Sequence, residues 1–155
     1  MAKVSSLVET NVNYLHQIST VVNLKDTDVI NEIKEALIGT FNKYGGRVQG
    51  LAAVQVRVPK RAILVRYVRG EEPLICFNPE VKVKIGLKLS QEGCESEPGK
   101  QYLVKRPWMV LVTYYNENGK KLIKLLPYKR ARIFCHEVDH LDGILLQDKG
   151  VKVQK

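Results

Sequence analysis

His136-Glu137-Val138-Asp139-His140 is the stretch from which the rest of the chain is best read. Histidines four residues apart share one face of an α-helix, so both imidazoles can reach a single metal ion. Glu137 follows the first histidine directly. It can address a water beside the ion without occupying the ion itself, which is what a hydrolytic general base requires. The surrounding residues independently favour a helix: Pro127 suits its first turn, and Gly143 supplies a stop just beyond Leu141. The HExxH pattern fixes only three positions, and taken alone it also occurs on solvated helices that bind nothing.

A third ligand has to come from upstream. The spacing HExxHxxGxxH would put it at position 146, which is Leu146, and no glutamate follows His140. The chain has three cysteines, Cys76, Cys94 and Cys135. An odd number without a CxxC pair argues against a disulfide framework and for a reducing compartment. Cys135 directly precedes His136, so on a helix it points about 100° away from it. Cys94 is the candidate, within Gln91-Glu92-Gly93-Cys94-Glu95-Ser96, where the glycine permits close backbone approach and a loop at a strand end can carry the thiolate to the helix. A Cys/His/His set leaves the fourth tetrahedral position open, as in catalytic sites, and its mixed donors accept Fe²⁺ as well as Zn²⁺.

Working outward, Asp26–Tyr44 reads as an amphipathic helix. Ile30, Ile33, Leu37, Ile38 and Phe41 form its apolar stripe, Asp26 or Thr27 caps it, and Gly45-Gly46 end it. Strand signals follow at Ala62–Tyr67, Leu74–Phe77 and Val81–Ile85, and at Met109–Tyr115 and Lys121–Leu126 around the turn Asn116-Glu117-Asn118-Gly119. Helix, several strands, then helix argues for an α+β fold with a largely antiparallel or mixed sheet, and no linker or repeat divides residues 1–155 into more than one domain. Residues 1–25 show only weak periodicity, and His16, without a ligand-spaced neighbour, reads as a surface histidine.

The 155 residues carry a net charge of +9, but their lysines and arginines are dispersed and not interleaved with aromatics. That pattern suits a solvated basic surface with at most weak attraction to a polyanion such as the ribosome, and not a specific nucleic-acid interface. Met1–Ser5 lacks the features of a secretory signal, and no apolar run approaches the ~20 residues that span a bilayer. The expectation is a soluble, cytoplasmic protein without membrane contact.

Three motifs in order are similar to those of the peptide deformylase family: Val48-Gln49-Gly50-Leu51-Ala52-Ala53-Val54-Gln55 to GxGLAAxQ, Glu92-Gly93-Cys94-Glu95-Ser96 to EGCxS, and His136–His140 to HExDH. The resemblance covers residues from about 28 to 150. It implies antiparallel or mixed sheets around a central HExxH helix, and one divalent ion per chain, Fe²⁺ natively, with Zn²⁺ or Ni²⁺ as isolated alternatives. Cys94, His136 and His140 would hold that ion. Glu137 would move the proton, while the Gln55 amide and the Glu95 backbone N–H would stabilise the oxyanion, with Gly50 in the adjoining site segment. Arg106 would pair with Glu92 and Asp139 and so orient the ligands. The implied substrate is the formyl-methionine end of a nascent polypeptide, processed by a monomer.

Departures from the family pattern fall on substrate-facing positions. Val48 replaces a glycine, where it could restrict a glycine-like backbone; Gln49 replaces a small aliphatic residue, and Glu95 a leucine beside the methionine pocket. Cys135 stands where glutamine is common, the C-terminal tail is short, and the first ~25 residues do not match the family's usual opening. These changes imply a weaker or altered methionine preference. They leave open an alternative, a catalytically weakened relative with a metal-dependent binding role.

Overall fold

The computed structural model describes residues 8–45 and 47–154; the readings made on Met1–Ser5 and on Gly46 lie outside the described residues. After a one-turn helix α1 (Val12–Leu15), the first long element is α2 (Thr27–Lys43). Asp26 is its N-cap, and its carboxylate accepts a hydrogen bond from Val29 N at 3.2 Å. Ile30, Ile33, Ala36, Leu37 and Phe41 bury its apolar face.

Seven of the eight strands assemble as β1 (Gly50–Ala52), β2 (Ala62–Val65), β3 (Leu74–Ile85), β4 (Lys88–Cys94), β5 (Glu97–Arg106), β6 (Met109–Tyr115) and β7 (Lys121–Pro127). The chain then forms helix α3 (Tyr128–Leu141), a one-turn helix α4 (Leu146–Lys149) and a two-residue β8 (Val151–Lys152). One sheet has the order β1-β2-β3-β6-β7 and the other β4-β5-β8, with antiparallel neighbours throughout. The only parallel pairing among the described residues is an isolated bridge between Thr20 and Lys60.

Side-chain alternation along β2 explains the layering. Ala62 and Leu64 pack with Ile33, Leu37 and Phe41 of α2, whereas Ile63 and Val65 pack with Ala131, Phe134 and Leu141 of α3. The two long helices therefore cover opposite faces of the larger sheet. Helix α3 meets the smaller sheet on its other side, through ion pairs from Glu92 and Arg106.

Three features differ from the sequence reading. Leu74–Ile85 is one strand, continuous through bulges at Phe77–Glu80 and Val81–Val83. Pro79 sits within the first bulge, where its missing N–H does not interrupt the ladder. The β4–β5 hairpin was not visible, because Leu89 and Leu103 face outward and its alternation is mostly polar. Pro127 is the helix N-cap and still pairs with Met109, so β7 runs directly into α3.

The N-terminal segment is also more tightly integrated than its weak periodicity suggested. Asn78 holds Val22 through two side-chain hydrogen bonds, Glu9 N donates to Gln55 O at 2.7 Å, and Ser19 N donates to Leu141 O at 2.9 Å. Gly143, at φ +72°, ends the α3 region, and a Cβ there would lie 2.3 Å from His16 O. His16 itself is exposed and pairs with Asp148.

Asp26→Ala removes the α2 cap without touching the core. We predict a loss of about 1 kcal/mol in urea unfolding, with no change in bound metal.

Candidate metal centre

Helix α3 presents His136 and His140 one turn apart, with ring centroids separated by 5.2 Å. Strand β4 ends at Cys94, and a two-residue turn, Glu95-Ser96, leads into β5. That tight turn, preceded by a bulge between Glu92 and Cys94, carries the thiol to the helix. One donor atom from each of Cys94, His136 and His140 lies within 4.8 Å of the others. Cys94 Sγ is 3.3 Å from His140 Nε2. Burial opposes ionisation of the Cys94 thiol, yet the two imidazoles hold it well below its usual value. A thiolate is the form a metal requires.

Glu92 completes the support of His136. Its Oε1 accepts from His136 Nδ1 at 3.0 Å, which leaves Nε2 for an ion. Arg106 forks onto the same carboxylate, Nε to Oε2 at 3.0 Å and a terminal nitrogen to Oε1 at 2.9 Å. Burial would raise the Glu92 pKa, but the bonds from His136 and Arg106 hold it down at about 2. The other arm of Arg106 reaches Asp139 at 2.5 Å, and Lys149 binds the same Asp139 oxygen at 2.9 Å. Sequence reasoning had paired Arg106 with both acids but missed the Glu92–His136 bond. The bulge between Glu92 and Cys94 breaks the strand's alternation, so sequence spacing alone does not signal that bond.

Gln55 stands on a 3₁₀ turn (Ala53–Val56) directly after β1. Its Oε1 accepts from Ala52 N at 2.9 Å, while Nε2 donates to Ser96 Oγ at 2.9 Å and lies 3.6 Å from Cys94 Sγ. The amide is thus oriented with its donor end toward the ligand cluster. Ser96, buried and holding that amide, was overlooked as a site residue.

Glu137 is buried, and its Oε1 has no hydrogen-bond partner among the described residues. Burial pushes its carboxyl up to about 6, despite the opposing pull of the neighbouring imidazoles. Gly50 makes room for it, since a Cβ at that position would lie 2.6 Å from Glu137 Oε2. Cys135 belongs to the core beneath α3, where burial raises its thiol to about 11, and it is not part of the ligand cluster.

These side chains open onto a cleft of about 440 Å³ whose walls include Val48, Gln49, Glu95, Lys100, Arg132 and Ile133. The strain expected at Val48 does not occur: its φ is not positive, and its side chain packs in the core with α2. Glu95 lies in the β4–β5 turn and lines the cleft.

One thiolate and two imidazoles suit a single divalent ion with an open position, and the unpaired Glu137 oxygen is the group such an ion would need beside it. Fold and cluster together suit a metal-dependent hydrolase, with Cys94, His136 and His140 able to hold a metal ion. The family model for polypeptide deformylase matches residues 4–155. The peptide deformylase of Lachnoclostridium phytofermentans is 40% identical over 124 residues, spanning 79% of this chain and 75% of the relative. That of Thermoanaerobacter pseudethanolicus is 32% identical over 146 residues, 91% of each chain. The class I type b peptide deformylase of Acinetobacter baumannii, solved with Met-Ala-Ser bound, has a TM-score of 0.82 at 29% identity, covering 96% of this chain and 99% of its own. This chain belongs to the polypeptide deformylase family. The match begins at residue 4, so residues 4–25, expected to lie outside the resemblance, fall within it.

Replacing Glu92 with Gln keeps the shape of the support but removes the charge that His136 and Arg106 share. We predict a metal dissociation constant raised about 10- to 100-fold, measured by competition with a chromophoric chelator.

Proposed function

We propose that this chain removes the N-formyl group from the N-terminal formyl-methionine of nascent polypeptides, releasing formate. The observation that carries the reading is the buried Glu137 carboxylate, held against Gly50 with one oxygen unpaired, beside three converging ligand atoms. The whole of residues 1–155 would act as one domain.

In this reading Cys94, His136 and His140 hold one divalent ion, which when bound supplies Lewis acidity toward water and the formyl oxygen. Fe²⁺ suits the mixed thiolate and imidazole donors, and Zn²⁺ or Ni²⁺ could take the same three. Glu137 accepts a proton from the attacking water as its oxygen bonds to the formyl carbon. The Gln55 N–H₂ group and the Glu95 backbone N–H donate to the oxyanion that develops. As the C–N bond breaks, Glu137 passes its proton to the departing amine, and formate and a free N-terminus result. Glu92, itself held by Arg106, which also reaches Asp139, keeps the His136 imidazole in orientation. A carboxyl shifted toward neutrality by burial is suited to giving and taking the same proton in one cycle.

The net charge of +9 supports weak association with the ribosome, where formylated chains emerge. Among the described residues no helix is long and apolar enough to cross a membrane. We assign the protein to the cytoplasm as a monomer. The polar groups in the cleft, Gln49 and Glu95 among them, favour a second reading in which methionine preference or turnover is weakened.

Glu137→Ala tests the assignment of the base. Formate release from a formyl-Met peptide should fall by at least about a hundredfold, with metal content preserved. Undiminished turnover in that variant would contradict the assignment.

A further inference from the structure

Most charged groups in the cleft are already engaged. Glu92 is held by Arg106 and His136, and Lys100 pairs with Glu97 at 3.4 Å. The Arg47 guanidinium lies over the Tyr44 ring, 5.5 Å from its centroid. Glu137 faces the ligand cluster. Arg132 and Glu95 remain, both half-buried and neither with an ion-pair partner among the described residues.

Arg132 precedes His136 by four residues, so it shares the cleft-facing side of α3 about 6 Å along the axis. It stands where the cleft adjoins a second hollow of about 330 Å³, and Gln91 and Arg132 line both. The walls of the second hollow include Leu89, Pro107, Trp108 and Tyr128, and the exposed Lys88 and Lys129 add to its positive charge. An unpaired guanidinium beside apolar walls has given up part of its hydration without gaining a counter-ion, and a carboxylate arriving there forms charge-assisted, bidentate hydrogen bonds. Glu95 makes the other wall negative, so the cleft suits one acidic group placed at Arg132 and disfavours a uniformly acidic peptide.

We propose that Arg132 is a specificity residue that binds a carboxylate carried by the side chain of the first or second residue of the formylated peptide. An extended peptide advances about 3.4 Å per residue, so one to two residues of it are comparable in length with the ~6 Å helical rise from His136 to Arg132. This inference rests on the deformylase reading and names a substrate class within it.

The test compares kcat/KM for formate release from formyl-Met-Ala-Ser, formyl-Glu-Ala-Ser and formyl-Met-Glu-Ser, using metal-loaded wild-type protein, Arg132→Leu and Arg132→Lys. The proposal expects one acidic peptide to lose at least about tenfold relative to formyl-Met-Ala-Ser in Arg132→Leu. Arg132→Lys, which keeps the charge but not the fork, should fall between the two. The peptide that responds identifies the position read. Unchanged ratios in Arg132→Leu overturn the proposal while leaving the deformylase reading intact. Binding of the matching N-acetyl peptides, measured by calorimetry, separates the two ideas. Arg132-dependent preference for the acidic peptide without any turnover would retain the carboxylate site and reject the deformylase reading. Absence of that preference in both binding and turnover would reject the carboxylate site.

Discussion

The buried carboxylate of Glu92 is the contact on which the rest of the site depends. It comes from the smaller sheet and binds His136 on the helix that is anchored to the larger one. It would be costly to bury alone, and Arg106 neutralises it with a two-pronged contact while also reaching Asp139. One network therefore joins the two sheets across α3 and sets which imidazole nitrogen faces the ligand cluster. The β4–β5 hairpin, once tied to the helix in this way, places Cys94 opposite His140 within reach of a common ion.

Close approach governs the other wall. Strand β1 runs past α3 at Gly50, where no side chain would fit against Glu137. The 3₁₀ turn that follows turns Gln55 toward Cys94, and Ser96 keeps its amide from rotating. Glu137 is buried there with its Oε1 without a hydrogen-bond partner among the described residues. The ligand cluster, the carboxylate and the amide come from three separate elements, each held by contacts away from the ion position.

Much of this was legible in the chain, for identifiable reasons. Helical periodicity exposed α2, and the spacing of His136 and His140 exposed one face of α3, because those signals are local. Antiparallel pairing in the larger sheet followed from apolar runs around Asn116–Gly119. The β4–β5 hairpin was hidden because its outward residues mix Leu89 with lysines, and its stability comes from pairing and from the ion network behind it. The bulged β3 reads as two strands, Leu74–Phe77 and Val81–Ile85, although its ladder continues through the register shifts between them. Arg132 escaped notice for a different reason: an arginine on an amphipathic helix reads as solvated until the fold turns that face into a cleft.

These ligands and this base, taken together, are proposed to cleave a formyl amide. The most direct measurement is formate release from formyl-Met-Ala-Ser by anaerobically purified protein, with metal content determined on the same sample. Rapid release is expected with one ion bound per chain, lost on chelation and restored when the ion is returned. A fully loaded protein that releases no formate would contradict it.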